Sequence, residues 1–275
     1  MSPRLPGGVE TGDGASAFTG ALLIIPAYNE ATQLPSLLDQ IGAQLPGLEV
    51  AVIDDGSDDD TAELARDCGA VVIRHPFNLG YGAALQTGYK YALDRGVEYL
   101  VQMDADGQHL PCELPRLLEL VRTGACDLAL GSRFLEPTGY EMGLLRTLLR
   151  NVFGIIARLA GLALTDPTSG FQAMHRRVLE LFVSDWYPAD FPDLDVLLFA
   201  HRRGVRILEH SVEMEPGRRE SSLHSGLKPI YYCYKMALSL WATVGVRHDF
   251  HAGGAAGKSA AAPETPPGRA DKPRD

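Results

Sequence analysis

Short apolar runs alternate with amphipathic stretches through the first half of the chain. The runs are typical of buried β-strands, and the stretches between them carry apolar residues at the three- and four-residue spacing of a helix face. The predicted strands are Ala21–Pro26, Glu49–Ile53, Ala70–Arg74, Tyr99–Met103 and Leu128–Leu130, and the predicted helices span about 34–45, 60–68, 81–95 and 112–123. This order predicts an α/β fold, Rossmann-like, with a mostly parallel sheet flanked by helices.

The second half is less regular and contains two longer apolar stretches, 144–164 and 227–246. A membrane-spanning helix needs about 20 predominantly apolar residues, and charges within it make insertion costly. Both stretches are interrupted by charged residues or proline, namely Arg146, Arg150, Arg158, Lys228, Pro229 and Lys235. We therefore predict C-terminal amphipathic helices that are buried or lie at a membrane surface.

The two ends of the chain lack apolar periodicity. Residues 1–19 and 249–275 are rich in Gly, Ala, Pro and Ser, so burial cannot offset the entropy lost on ordering them. We expect both segments to be disordered. They flank one domain at 20–248, which is long enough to bury a substantial core.

Charge is unevenly distributed along the chain, whose formal net charge is −10. Lys and Arg number 7 against 19 Asp and Glu in residues 1–132, but 14 against 12 in residues 133–248. The acidic balance excludes a nucleic-acid-binding protein, which needs a basic face. The asymmetry favours a protein that binds a cation early and an anionic group later, although a solvated acidic surface would give the same counts.

The cysteines point to a reducing compartment. Their spacing matches neither a metal site nor a small disulfide framework, and no signal peptide is visible at the start of the chain. We therefore expect a cytoplasmic protein.

Polar residues follow the first two predicted strands, at the edge where α/β sheets bind ligands. Pro26 has no N–H to donate and is expected to end the first strand, which leaves Tyr28 and Glu30 to contact a base or ribose hydroxyls. Asp54 and Asp55 follow the second strand and suit base N–H and ribose donors. The alternative for the first motif is an ordinary strand-to-helix turn.

A two-glycine turn, Asn78–Gly82, leads into the third predicted helix. Glycines at a helix start let backbone amides approach a phosphate or a base. A turn that binds no ligand has the same composition, so this motif alone decides nothing.

The segment Asp104–His109 directly follows the predicted strand Tyr99–Met103. Asp104, Asp106 and Gln108 can direct oxygen ligands at one hard divalent cation, Mg²⁺ or Mn²⁺, which would also bridge a diphosphate. Such an ion neutralises the charge that builds up on a departing diphosphate. His109 either extends this set or supports it from behind.

At this point the sequence closely resembles glycosyltransferase family 2, in its dolichyl-phosphate mannose synthase-like, polyprenyl-phosphate glycosyltransferase branch. The matching segments are PAYNE at 26–30, DDGSDDDT at 54–61, NLGYGAALQTG at 78–88, DADGQH at 104–109, GSR at 131–133 and DPTSGF at 166–171. The resemblance covers about 20–248. It implies a GT-A fold, an inverting reaction, donor recognition by the first three motifs and a metal at the fourth.

The resemblance also implies roles for single residues. The donor nucleotide would be lined by Pro26, Tyr28, Glu30, Asp54, Asp55, Gly82 and Asp104, and the metal would be held by Asp104, Asp106 and Gln108. Asp106 and Arg133 are the candidate catalytic residues. Arg133 would meet the diphosphate or the acceptor phosphate, because a guanidinium presents a fork of donors that fits phosphate oxygens.

The acceptor side is implied by two further segments. Ser169 and neighbouring amides in the DPTSGF segment could bind a phosphate. An ordinary turn without a ligand can have the same composition. The lipid-phosphate branch carries a later Arg-x-x-Gly-x-Ser motif, from which this chain departs. Aligning on Ser222 puts Gly217 at the arginine, so Arg218 and Arg219 are displaced candidates for phosphate binding.

Two aspartates at the start of the next predicted helix, Asp193 and Asp195, are candidates for a general base. Transfer to a hydroxyl requires a carboxylate that removes a proton, whereas a phosphate acceptor is already ionised. Aspartates also favour helix starts without any catalytic role.

The leading hypothesis is transfer of a hexosyl unit from a UDP- or GDP-sugar to polyprenyl or dolichyl phosphate at the cytoplasmic membrane face. The expected partners are the nucleotide-sugar donor, the lipid phosphate, and either the membrane surface or a small membrane protein. One rival is transfer to a hydroxyl of a saccharide or small molecule, with Asp193 or Asp195 as the base. Another rival is a nucleotide-sugar-binding protein without catalysis.

Overall fold

A computed structural model of the chain describes residues 17–135, 154–190 and 192–215. Within them, one sheet contains the strands β1 (Ala21–Ala27), β2 (Glu49–Asp54), β3 (Val71–Arg74), β4 (Tyr99–Gln102), β5 (Leu128–Ser132), β6 (Gln172–His175) and β7 (Ile207–Ser211). The helices are α1 (Leu34–Gln44), α2 (Thr61–Asp67), α3 (Tyr81–Asp94), α4 (Leu114–Arg122), α5 (Arg176–Phe182) and α6 (Leu194–Arg202), with a 3₁₀ turn at Pro111–Glu113 and a helical segment at 154–159.

The sheet is mostly parallel, with the strand order β3-β2-β1-β4-β6-β5-β7. Only β6 among these strands runs against its neighbours β4 and β5. The predicted α/β class, with helices on a mostly parallel sheet, is therefore confirmed.

Two hydrophobic cores lie on opposite faces of the sheet. Successive residues of a strand point to opposite faces, and in β1 Leu22 and Ile24 belong to one core while Leu23 and Ile25 belong to the other. Helices α3, α5 and α6 cover the first face, and α1 and α4 cover the second. Burial on both faces explains why these strands are apolar without alternation. Each such leucine or isoleucine contributes about 1.5–3 kcal/mol.

Pro26 does not end β1, contrary to the sequence prediction. The strand continues to Ala27, and Pro26 pairs in register with Ile53 of β2. Ile24 O accepts from Met103 N, so the backbone of Ile24 points toward the neighbouring strand β4. The backbone of Pro26, two residues further on, points the same way. The β1–β4 ladder stops at Ile24, and the missing N–H of Pro26 therefore leaves no ladder hydrogen bond unmade.

The second half departs further from the predictions. Strands β6 and β7 were not predicted, because QAMH and ILEHS are short and mixed in polarity. The helix predicted at 144–164 is helical at 154–159 and ends there, since Gly161 adopts a φ of 86° that a helix cannot continue. Its earlier part and the stretch 227–246 lie outside the described residues. In the part of the chain that is described, no helix is long and apolar enough to cross a bilayer.

Three residues of the segment predicted to be disordered belong to the described part of the chain. Residues 17–19 are described, and the Arg122 guanidinium donates to Ala17 O and, at 2.7 Å, to Thr19 O. The rest of the segments predicted to be disordered, 1–16 and 249–275, lies outside the described residues.

Buried Asp127 joins the start of β5 to the segment that leads into β7. Its Oδ2 accepts from Arg206 N at 2.8 Å and Arg206 Nε at 3.1 Å, and its Oδ1 accepts from Arg206 Nη2 at 3.0 Å. Arg177 Nη1 lies 3.4 Å from the same Oδ1. The hydrogen bonds from Arg206 lower the pKa of Asp127 below its ordinary value.

We expect Asp127→Asn to lower the free energy of unfolding by about 1–3 kcal/mol at pH 7, because it removes a charge-assisted pair at a buried site. A lowered folded-state pKa stabilises the protein above the unfolded value near 4, and that contribution is lost as pH falls through the folded value. Urea unfolding at pH 7 and pH 3.5 should therefore show a smaller gap between wild type and variant at the lower pH.

Glu119→Gln is the matched control. Glu119 pairs with Arg116 at 2.6 Å, but both side chains are more than half exposed. Its loss should change the free energy of unfolding by about 0.5 kcal/mol or less. Equal effects of the two substitutions would contradict the role given to Asp127.

Candidate active site

Three loops meet at the carboxyl edge of the sheet. Strands β1, β2 and β4 are parallel, so the segments that follow them emerge at the same edge. These segments carry the residues predicted to bind the nucleotide and the metal.

The loops after β1 and β2 are interlocked by hydrogen bonds. Asn29 N donates to Ser57 Oγ at 2.9 Å, and Asp58 N donates in return to Asn29 Oδ1 at 2.9 Å. Glu30 N donates to Thr61 Oγ1 at 2.9 Å. Tyr28, which precedes these residues in the chain, has 43% of its surface exposed, so it is accessible to a ligand.

The two neighbouring aspartates after β2 have different surroundings. Asp54 is fully buried, and its Oδ1 accepts from Ser57 N at 3.1 Å. Its Oδ2 lies 3.0 Å from Arg74 Nε in an ion pair that lacks hydrogen-bond geometry. These contacts give Asp54 a part in shaping the loop, and its predicted contact with the nucleotide stays a prediction.

Asp55 holds the two-glycine turn in place. Its Oδ1 accepts from Leu79 N and its Oδ2 from Gly80 N, both at 2.9 Å. His75 Nδ1 lies 2.7 Å from Oδ1, and the other ring nitrogen of His75 lies 2.9 Å from Thr87 Oγ1 on α3. Sequence reasoning missed His75, whose position after β3 was the available signal.

The start of α3 is covered by the segment 188–190. Ala83 N donates to Ala189 O at 3.0 Å, and Gly82 N donates to Asp190 O at 3.3 Å. A Cβ on Gly82 would stand 2.1 Å from Pro188 O, so only glycine fits there. The structure thus uses these amides within the protein, in keeping with the structural turn that the sequence left open as an alternative. A contact between Gly82 and the nucleotide stays a prediction.

The candidate metal residues lie just beyond β4. Asp104 Oδ1 accepts from the Tyr81 hydroxyl at 2.7 Å, and Asp106 Oδ1 accepts from Gln108 N at 3.0 Å. Burial raises the pKa of both carboxyl groups, and the charge of Asp104 adds to the rise at Asp106. Two acids that disfavour each other's ionisation in this way would be stabilised by a cation between them. Within the described residues, no group of three or more His, Cys, Asp or Glu side chains surrounds a common point.

His109 supports the segment Asp104–His109, called here the metal loop because it carries the candidate metal residues. Its Nδ1 accepts from Asp104 N at 3.1 Å, which assigns the ring proton to Nε2, 3.9 Å from Asp104 Oδ2. The ring stacks on Phe171 with centroids 4.9 Å apart. Burial lowers the pKa of His109 to about 4, so the ring is neutral at pH 7. These contacts give it a supporting place.

Arg133 faces the metal loop and is held by Asp166. Its Nε donates to Asp166 Oδ2 at 2.7 Å and its Nη2 to Asp166 Oδ1 at 2.9 Å, which fixes the plane of the guanidinium. The positive charge of Arg133 partly offsets the raised pKa values of Asp104 and Asp106. The structure therefore brings Arg133 together with the candidate metal residues, and its predicted contact with a phosphate stays a prediction.

The DPTSGF segment, 166–171, lies against the metal loop. Ser169 Oγ donates to Gly131 O at 2.6 Å, so this hydroxyl braces β5, and its predicted contact with a phosphate stays a prediction. Gly170 touches Asp104, and a Cβ there would stand 2.6 Å from Asp104 Oδ2. Sequence reasoning did not single out Gly170, since the contact joins residues far apart in the chain.

The candidate bases lie at the start of α6. Asp195 is buried, and its Oδ1 accepts from Asp193 N at 3.1 Å and Val196 N at 2.9 Å. These are contacts of a helix-start residue. A role of either aspartate as a base stays a hypothesis.

The segment 212–215, which follows β7 and is called here the strap, reaches the metal loop. Met214 pairs with His109 as an isolated antiparallel bridge, and Glu215 N donates to Gln108 O at 2.9 Å. The candidates Arg218, Arg219 and Ser222 follow this strap but lie outside the described residues.

We expect Gly170→Ala to weaken divalent-cation binding by about tenfold or more, because the added methyl group displaces the Asp104 carboxylate. Titration with Mn²⁺ in the presence of UDP or GDP, followed by electron paramagnetic resonance, measures the change. Gly42→Ala is the control, since a Cβ at this exposed helix position meets nothing within 4 Å. Unchanged Mn²⁺ affinity in Gly170→Ala would rule out Asp104 as a ligand in this position.

Comparison with known proteins identifies relatives that match most of this chain. The polyprenol monophosphomannose synthase of Mycolicibacterium smegmatis is 38% identical over 189 residues, which is 64% of this chain and 71% of the relative. The undecaprenyl-phosphate mannosyltransferase of Micrococcus luteus is 36% identical over 220 residues, or 75% of this chain and 88% of the relative.

The fold also has solved counterparts. The glucosyl-3-phosphoglycerate synthase of Mycobacterium tuberculosis, solved with Mn²⁺, UDP-glucose and phosphoglyceric acid, superposes with a TM-score of 0.64 at 21% identity over 87% of this chain and 86% of that one. This likeness shows the shared GT-A fold. The family model described as Glycosyl transferase family 2 matches residues 22–182. The chain therefore belongs to glycosyltransferase family 2.

Proposed function

We propose that this protein is a metal-dependent glycosyltransferase that moves a hexosyl unit from a UDP- or GDP-sugar to polyprenyl phosphate, with inversion at the anomeric carbon. One observation carries the proposal: Arg133, fixed by Asp166, faces the Asp104–Asp106 pair at the edge where the other donor motifs meet. The named activities of the relatives in Mycolicibacterium and Micrococcus support a polyprenyl phosphate acceptor.

The donor binds across the loops after β1, β2 and β4. Tyr28 offers an exposed ring to the base, and Pro26 and Glu30 of the same segment would complete the contact. Asp54 and Asp55 are buried beneath these loops and would accept from the nucleotide, and Asp55 also keeps the turn before α3 in place.

The candidate metal ligands fit Mg²⁺ or Mn²⁺. Asp104, Asp106 and Gln108 offer hard oxygen ligands, and the two carboxyl groups have raised pKa values that a cation would reverse. When bound, the ion neutralises charge on the diphosphate as the glycosidic bond breaks. The solved GT-A neighbour that contains Mn²⁺ supports this assignment.

The acceptor phosphate approaches from the side of Arg133 and the strap. Glu215 is bonded to Gln108, and Arg218 and Arg219 follow it by three and four residues. With Arg133, Ser169 and Ser222, they form the phosphate-binding group that we propose.

Membrane contact would be peripheral, at the cytoplasmic face. In the helical segment 154–159, Ile155 and Leu159 are one turn apart and 55% and 85% exposed, and Arg158 lies beside them. An exposed apolar stripe flanked by a cation suits the interface of an anionic membrane.

The direct test incubates the protein with labelled UDP- and GDP-hexoses, Mg²⁺ or Mn²⁺, and undecaprenyl phosphate. We expect a lipid-linked sugar whose anomeric configuration is opposite to that of the donor. Asp106→Ala or EDTA should reduce the rate about a hundredfold or more, since a catalytic cation contributes several kcal/mol. Asp67→Ala, an exposed acid at the end of α2, should leave the rate unchanged. Absence of product with every donor would exclude the lipid assignment, and full activity in EDTA would exclude the metal.

Asp195→Asn separates the two acceptor classes. A phosphate acceptor is already ionised, so turnover should fall by less than about tenfold, because Asn keeps one oxygen for the amides of Asp193 and Val196. With a hydroxyl acceptor that needs this base, turnover should fall by about 10² to 10⁴. The measurement is kcat with undecaprenyl phosphate compared with sugar and glycerol-type acceptors, and Asp193→Asn is assayed in parallel.

A further inference from the structure

A partly buried carboxylate on β7, Glu209, is bonded to the loop that precedes β6. Glu209 Oε1 accepts from Thr165 N at 2.9 Å and Asp166 N at 2.7 Å. Its Oε2 accepts from Thr165 N at 2.7 Å and Thr165 Oγ1 at 3.0 Å. Both oxygens are thus fixed by two successive residues of one loop.

The residues that Glu209 contacts are in turn bonded to Arg133 and its neighbour Ser132. Asp166, whose amide is held by Glu209, is the residue whose carboxylate binds the Arg133 guanidinium at two points. Thr165 Oγ1, also held by Glu209, lies 2.7 Å from Ser132 Oγ, next to Arg133 in the chain. The loop between Glu209 and Arg133 is therefore fixed from both sides.

The arrangement has an electrostatic cost. Burial raises the pKa of Glu209, and the nearby charge of Asp166 adds to the rise. A neutral side chain would avoid this repulsion, but it could not accept hydrogen bonds at both terminal atoms. A carboxylate kept under such conditions close to a candidate active site is a candidate for a functional role.

We propose that Glu209 is a positioning residue, which orients Arg133 toward the diphosphate through Thr165 and Asp166. This inference rests on the proposed function, in which Arg133 stabilises the departing diphosphate. Glu209 itself touches no substrate. It fixes the loop, the loop fixes Asp166, and Asp166 fixes the plane of the guanidinium.

The first test observes Arg133 without turnover. In ¹⁵N-labelled protein, the Arg133 Nε–H resonance should be protected from exchange, and its absence in Arg133→Lys assigns it. Glu209→Gln should broaden or shift this signal, since the amide group of Gln cannot accept from the loop at both atoms. Glu49→Gln is the matched control, because Glu49 is an exposed strand carboxylate paired with Arg95. It is the first residue of β2, at the amino end of the strand, opposite the candidate site.

The second test is a double-mutant cycle in the transferase assay. Glu209→Gln should lower kcat by about 10- to 100-fold with little change in KM for the donor, as found for residues that orient a catalytic group. In the Arg133→Lys background the same substitution should lower kcat less than about threefold, because the group that it orients is already altered. Thermal unfolding of each variant confirms that the fold is retained.

The outcomes are distinguishable. An unchanged Arg133 signal in Glu209→Gln, or effects on kcat that multiply fully in the double variant, would overturn the positioning role. A wild-type protein that shows the protected Arg133 signal but no transfer with any donor and acceptor would refute the proposed function and leave the Glu209–Arg133 linkage standing.

Discussion

The direction of a single strand brings the two sides of the site together. Because β6 runs antiparallel to β4 and β5, its first residue, Gln172, pairs with Gln102 and Leu130 near the carboxyl ends of both neighbours. The segment 166–171 that precedes it must therefore lie beside the metal loop. A parallel strand in this place would have left that segment at the opposite edge. The contacts of Asp166 with Arg133, of Gly170 with Asp104 and of Phe171 with His109 all depend on this reversal.

Charge at this edge is arranged before any ligand arrives. The carboxylates of Asp104, Asp106 and Asp166 share the field of one fixed guanidinium, that of Arg133, and the carboxylate of Glu209 holds the loop that carries Asp166. Each lies on a segment that is anchored by backbone hydrogen bonds, so the groups cannot move apart to relieve their repulsion. Such preorganised charge favours a cation and an anion bound side by side, and it costs little further reorganisation during reaction.

The sequence was sufficient for the parallel half of the fold and insufficient for the rest. Strands β1 to β5 are apolar enough to be recognised, and polar motifs directly after β1, β2 and β4 marked the carboxyl edge. Strands β6 and β7 were missed because their stability comes from neighbouring strands rather than from their own composition.

The contacts within the site followed the same division. Asp104, Asp106 and Arg133 could be named from local motifs and a family resemblance. Glu209 and Gly170 could not, because their importance arises from partners 43 residues and 66 residues away in the chain.

The closed start of α3 has a consequence for how a diphosphate could be bound. In many nucleotide-binding folds, the first turn of a helix offers unpaired amides and a positive dipole end to the phosphates. Here the amides of Gly82 and Ala83 are bonded to carbonyl oxygens of the segment 188–190. These two amides are already used, so compensation for the charge of a diphosphate depends more on side chains such as Arg133, which mutation can remove one at a time.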